Sequence, residues 1–372
     1  MANHESIPVA APDLGGNELK YVTECIKTEW VSSNGRFVPL FEEKFARFAG
    51  KKFGVSASNG TVALHLAVLA AGVEKGDEVI VPDITFVATA NAVLYTGATP
   101  VFADSEISSW CIDPIEIEKK ITKRTKAIIP VHLYGHPANM VEIMKLAKKH
   151  NLFVIEDAAE AHGASINGKS VGSFGDANVF SFFGNKTMTT GEGGMIVTDD
   201  ENIAKQVKLL RDGGRDRSKN TYYHTVLGYN YAMTNLQAAV GVAQLERIKN
   251  FISRKRGIAA TYREAFKGIE SVEFSPEVIG FESNYWMSSI VLSERNKIGR
   301  DELMAELKDR GIETRPFFHP MHQIPYMKTN EKFPVAEYLA KNGLNLPSGV
   351  KLTKPEVLYV AKNVREILEK RK

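Results

Sequence analysis

The chain has 372 residues, 44% hydrophobic and 24% charged, with 47 Lys+Arg against 44 Asp+Glu. That composition suits a globular protein with an extensive core, and the length fits two or three domains. The near balance of charge, with no basic block interleaved with aromatics, argues against a nucleic-acid partner, and VALHLAVLAAGV, the longest apolar run, is too short to cross a bilayer and contains His65.

The start, MANHESIPVAAPDLGG, has neither the basic opening nor the apolar run of a signal peptide. Cys25 and Cys111 lie far apart and outside any C-x-x-C pair, so both read as buried thiols in a reducing compartment. A cytoplasmic location without membrane attachment is the expectation. FGVSAS then reads as a strand and GTVALHLAVLAAG as a helix, followed by strand EVIVPD, helix FVATANAVLYTG and strand TPVFAD. TKAIIPV is a strand, MVEIMKLAKKHN an amphipathic helix and LFVIED a strand. Val- and Ile-rich runs alternating with helices predict crossover units and a mostly parallel, buried sheet. The long helical pattern NLQAAVGVAQLERIKNFISRKRGIAATYREAF leads out of that sheet. Residues 1–250 are therefore expected to form a large α/β domain and 251–372 a smaller α+β domain. In the second, YWMSSIVLS reads as a strand and RDELMAELKDRG as a helix ending at Gly311. TKPEVLYVAKNVREILEK reads as a helix opened by a capping box, Thr353 with Glu356.

GASINGKS, Gly163–Ser170, matches the phosphate-loop pattern G-x-x-x-x-G-K-[ST]. A phosphate loop needs a helix directly after it, whose N-terminal N–H groups meet the phosphates. Here SVGSFGDANVFSFF follows, without helical periodicity. Asn167-Gly168 is instead a favoured two-residue hairpin turn, which leaves Lys169 in solvent.

Four other pieces carry chemistry jointly, although each alone also fits a structural role. In SNGTVALH a strand end gives way to a helix start at Asn59-Gly60-Thr61, where free N–H groups favour an anion. In VIEDAAEAHG a strand ends in Glu156-Asp157, at the sheet edge where ligands bind, and a carboxylate there can hold a cation. In SFFGNKTMTTGEGGM, Lys186 stands between an aromatic strand and a Thr/Gly-rich loop, a setting in which a lysine can act as an amine nucleophile. In TFVATAN, Phe86 can stack on a flat ligand. Pyridoxal phosphate asks for this set: an anion site, a carboxylate for the ring nitrogen, an amine for the aldehyde and an aromatic cover. His132, His136, His319 and His322 form no H-E-x-x-H pattern, and Pro137 and Pro320 break helical presentation, so no metal is expected.

With WVSSNGRF, PVHLYGHP, GYNYAMTNLQAA and RPFFHPMH, these strings resemble the DegT/DnrJ/EryC1/StrS sugar-nucleotide aminotransferases over nearly the whole chain. The resemblance implies a fold-type-I pyridoxal phosphate enzyme with a mostly parallel central sheet, helices on both faces and a smaller α+β C-terminal domain. It implies that Lys186 bonds to the cofactor and later shuttles a proton, and that Asp157 pairs with the pyridine nitrogen. Glu160 then lies near the ring hydroxyl, where many relatives have Gln, and Phe86 stacks on the ring. Ser181, Gly60 and Thr61 hold the phosphate, and Asn230 reaches the phosphate of a neighbouring subunit in a homodimer. Ala232 replaces a frequent Arg. A related dehydratase branch carries His at the lysine position, so Lys186 points to transamination. The implied substrates are L-glutamate and a GDP-linked 4-keto-6-deoxymannose, aminated at C4 for surface polysaccharide. Trp30, Ser32, Ser33, Asn34, Arg36, Arg315 and His319 are candidate sugar-nucleotide contacts. A dTDP- or UDP-linked sugar, or a non-catalytic sugar-nucleotide-binding protein, are the alternatives.

Overall fold

The computed structural model describes residues 6–370 apart from 217 and 220. The apolar runs form strands β1 Phe53–Ala57, β2 Glu78–Pro82, β3 Thr99–Ala103, β4 Thr125–Ile128 and β5 Phe153–Asp157. The short β6 Ser165–Ile166 and β7 Lys169–Ser170 come next, then β8 Ala177–Ser181 and β9 Gly194–Thr198. One seven-stranded sheet takes the order β1-β9-β8-β5-β4-β2-β3. Its pairs are parallel from β3 through β8, and β9 alone runs antiparallel to both its neighbours. Strand alternation divides the core between the two faces. Val179 and Ile196 join one apolar cluster, while Phe180, Met195 and Val197 join another with Phe41 and Phe45 of helix Phe37–Ala49. Covered on both faces, β2 and β8 are buried along their whole length.

The GASINGKS stretch is a hairpin. β6 pairs antiparallel with β7 across Asn167 (φ 49°) and Gly168 (φ 79°), two left-handed residues as the turn requires. Lys169 is exposed beside the Phe174 ring, 4.1 Å from its centroid. The long helical pattern is broken at Arg247 into helices Asn235–Glu246 and Ile248–Ala265. The first begins with a capping box between Thr234 and Gln237. Residue 250 thus falls inside the second helix, and Ile7, far upstream, packs in the apolar cluster of the smaller sheet.

That smaller sheet contains β10 Val272–Phe274, β12 Ser288–Leu292, β13 Arg315–Pro316 and β14 Gly343–Leu346, all antiparallel; β11 Phe281–Glu282 pairs with β6 instead. Helix Lys354–Glu369 starts with the expected Thr353/Glu356 capping box, and helix Arg300–Asp309 ends before Gly311 (φ 73°). In the large sheet, helical crossovers, and the hairpin-bearing connection from β5 to β8, return the chain so that the parallel strands end on one edge. The segments after β1, β2, β4, β5 and β8 therefore share that edge.

Candidate active site at the carboxyl edge of the sheet

Asp157 is the last residue of β5, with its side chain buried. One carboxylate oxygen accepts from Thr89 Oγ1 at 2.9 Å and the other from the Ala159 N–H at 3.1 Å. Burial pushes its carboxyl above the usual range, against the pull of Ala159, Thr89, Lys186 and His132. Strand alternation turns the preceding Glu156 the other way. It accepts from His132 Nε2 at 2.9 Å and from the Phe174 and Gly175 N–H groups at 2.9 and 3.2 Å. Burial raises its carboxyl as well, but His132 and the surrounding N–H groups outweigh that, and the group lies below the usual range. Glu156 is committed to structure. Asp157 is left with neutral donors and can neutralise a ligand cation.

Lys186 lies in the turn after β8, with its N–H bound to the Phe183 carbonyl at 2.9 Å. Its Nζ is 3.3 Å from Glu160 Oε1 and 3.8 Å from the centroid of the Trp286 ring. The two charged side chains are only 11% and 4% exposed. Glu160 Oε2 accepts from the Tyr134 N–H at 2.8 Å. The Trp286 indole N–H donates to the Asn185 carbonyl at 2.8 Å, and its ring stacks on Tyr134. Asn284 Nδ2 donates to the Glu160 and His162 carbonyls at 3.0 and 3.1 Å. The smaller sheet's side of the molecule thus fixes the wall beside the lysine.

Gly60 opens helix Gly60–Ala70 against Ser181, the last residue of β8. A Cβ on Gly60 would stand 2.8 Å from Ser181 Cβ and 3.0 Å from Oγ, so glycine permits this approach. Asn59 takes the Val62 N–H on its side chain and the Ala63 N–H on its carbonyl. The Gly60 and Thr61 N–H groups meet no acceptor among the described residues and, with the Ser181 hydroxyl, can receive an anion. Phe86, in the segment after β2, is 53% exposed with its ring 5.8 Å from Phe318. Pyridoxal phosphate fits this donor set: a cradle for its phosphate, a buried carboxylate for its ring nitrogen, an amine for its aldehyde and a free aromatic face.

The structure thus brings together Asp157, Glu160 and Lys186, and separately Gly60, Thr61 and Ser181. The other candidates sit elsewhere. Asn230 is exposed and bridges to Asp212. The Trp30 and Ser32 carbonyls hold the Asn235 side-chain and backbone N–H groups at 2.7 Å. Ser33 and Asn34 line a cavity of about 270 Å³ with Arg211, Asp212 and Ala232. Arg36 is not free for a diphosphate in this arrangement: Glu24 pairs with it and its guanidinium lies over Phe37. Arg315 lies 3.5 Å from Glu313, and His319 is exposed in the segment that carries Phe318. The other three histidines of PVHLYGHP and RPFFHPMH are used internally: His132 on Glu156, His136 on the Pro137 carbonyl and His322 on Asp83. Sequence reasoning missed Thr89, Tyr134, Asn284 and Trp286. Thr89 lies inside the TFVATAN string and one turn from Phe86, a usable signal. Tyr134 lies inside the PVHLYGHP string, whereas Asn284 and Trp286 reach the site through tertiary packing and carry none.

Residues 12–365 match the DegT/DnrJ/EryC1/StrS aminotransferase family. The chain is 48% identical over 361 residues to the GDP-perosamine synthase of Escherichia coli O157:H7, covering 97% of this chain and 98% of that protein. It is 44% identical to the GDP-perosamine synthase of Caulobacter vibrioides, over 99% and 100% of the two. A putative sugar aminotransferase of Streptococcus pneumoniae, solved in its PMP form, superposes with a TM-score of 0.93 at 26% identity, over 98% of each chain. With a lysine, a buried strand-end carboxylate and an anion cradle on the same sheet edge, this chain belongs to the DegT/DnrJ/EryC1/StrS aminotransferases.

Proposed function

We propose that this protein, with pyridoxal 5′-phosphate, moves the amino group of L-glutamate to C4 of GDP-4-keto-6-deoxymannose, giving GDP-perosamine for surface polysaccharide such as O-antigen. The observation that carries the chemistry is Lys186 Nζ held beside Glu160, on the same sheet edge as the buried Asp157. The substrate rests on the relatives named GDP-perosamine synthase, 44% and 48% identical over nearly full length. The same reading places the enzyme in the cytoplasm as a homodimer, with Asn230 completing the partner's phosphate site. Among the described residues, no helix is long and apolar enough to cross a membrane.

When bound, the cofactor supplies an electron sink for the carbon next to the transferred nitrogen. The chain supplies the rest. Lys186 Nζ serves as the nucleophile toward an aldehyde carbon and as the base that moves a proton between carbons. Asp157 would hold a proton on the ring nitrogen, at no cost in new burial because its carboxyl group is already desolvated. Ser181 Oγ and the Gly60 and Thr61 N–H groups would hold the phosphate, and Phe86 would be available to a ring face. Trp286 and Tyr134 wall off water beside the lysine.

Mass spectrometry and NMR of the product test the reading. L-Glutamate with GDP-4-keto-6-deoxymannose should give a 4-amino-4,6-dideoxy sugar nucleotide. Product only from a dTDP- or UDP-linked ketosugar would move the substrate; amination at C3 would overturn the regiochemistry.

A further inference from the structure

A lysine that must act as a neutral amine here has a carboxylate and an aromatic face as close neighbours. Glu160 Oε1 stands 3.3 Å from Nζ, and the Trp286 ring face lies 3.8 Å away. Both charged groups are nearly dry, so the proton that Lys186 gives up needs an acceptor within the site. Only one oxygen of Glu160 is engaged by the backbone, through the Tyr134 N–H; the other faces the lysine.

We propose that Glu160 is the proton partner of Lys186, holding the lysine as an ammonium in the cofactor-free protein and taking its proton when the nitrogen becomes a nucleophile. The step balances as Lys186–NH3⁺ with Glu160–COO⁻ going to Lys186–NH2 with Glu160–COOH. The neutral Nζ would then be available to a cofactor aldehyde, whose oxygen would depart as water. Burial already pushes the Glu160 carboxyl above its usual range, so it is a competent base rather than a permanently ionised bystander.

Other charged and titratable groups around the pair do not replace it. Asp157, on β5, is held by Thr89 and Ala159. His132 is spent on Glu156. His162 sits buried among Phe45, Phe180 and Phe182, and burial with Lys186 and Lys255 nearby drives its imidazole down to about 3. Lys255, on helix Ile248–Ala265, donates to the Trp286 and Ser348 carbonyls, and burial lowers its ammonium to about 7. The Tyr134 phenol and the Cys111 thiol are both raised by burial and stay neutral.

The inference deepens the aminotransferase reading and rests on it for its catalytic meaning, but its test does not need turnover. Lys186 in the full-length, cofactor-free protein is acetylated with acetic anhydride across a pH series and followed by mass spectrometry of its peptide. Glu160→Gln should lower the midpoint of Lys186 reactivity, so that labelling at pH 7 is about tenfold faster than in wild type. Glu160→Asp, which keeps a carboxylate near Nζ, should label more slowly than Glu160→Gln and serves if the glutamine variant folds poorly. A midpoint unchanged in a folded Glu160→Gln protein, or a Glu160→Asp midpoint no higher than that of Glu160→Gln, would overturn the proposal. Failure of the protein to bind pyridoxal phosphate would instead sink the aminotransferase reading, and it is read separately from the visible spectrum.

Discussion

Asp157 and Glu156 are adjacent carboxylates with opposite fates, and the difference is set by which side of β5 each faces. Glu156 is saturated by a histidine and backbone N–H groups, whereas Asp157 is buried with only the Thr89 hydroxyl and the Ala159 N–H on its oxygens. Lys186→Ala should lower turnover by at least about a thousandfold while leaving circular dichroism and melting temperature close to wild type. Asp157→Asn should cut kcat by about a hundredfold or more with a smaller change in KM, because the amide cannot hold a proton on the ring nitrogen. Steady-state kinetics of the two variants check both. At this scale the sequence was informative where residues share a short string. Ser181 and Asp157 end strands, Lys186 follows one in a turn, and all three are read from local context. Trp286 and Asn284 complete the lysine's surroundings from the far side of the chain, and no spacing predicts a contact made only by folding. Arg36 shows the converse, since a free-looking arginine proves to be paired with Glu24.

Among the elements, β5 and its following loop hold the site by a carboxylate whose ionisation matters. Glu156 has a folded pKa below its unfolded value, near 4.3. Its contribution is therefore complete above that pH and is lost as pH falls through the lower folded value. Glu156→Gln should cost about 3 kcal/mol at neutral pH and flatten the acid limb of stability, measured by denaturant melts across a pH series. The β6–β7 hairpin makes a contrasting prediction. Asn167→Ala should lose about 1 kcal/mol because alanine resists φ 49°, and Lys169→Met should leave kcat and KM as they are. A large kinetic loss in the lysine variant would revive the phosphate-loop reading of GASINGKS. The strands, the hairpin and the capped terminal helix were legible because their signals are local: continuous Val/Ile runs, an Asn-Gly pair, a Thr-x-x-Glu box. The break at Arg247 was not, since no Gly or Pro stands at the junction of the two helices.

For the whole molecule, the parallel sheet explains why residues from distant segments share one edge, and the alternation of strands and helices made that architecture readable in advance. The assembly is a matter of proposal, and it can be tested without a structure of the dimer. If Asn230 serves the partner's site, Lys186→Ala and Asn230→Ala variants, each inactive alone, should regain activity when refolded together. Equal mixing gives heterodimers in half the population with one intact site each, so about a quarter of wild-type activity should return. No recovery would mean that each subunit completes its own site.

The most direct measurement is the visible spectrum of the purified protein. Pyridoxal phosphate bound through Lys186 predicts a yellow band that L-glutamate bleaches and that GDP-4-keto-6-deoxymannose restores after the glutamate is removed. A protein that takes up no pyridoxal phosphate, or whose band glutamate leaves unchanged, would contradict the assignment of Lys186 and Asp157 to amino transfer.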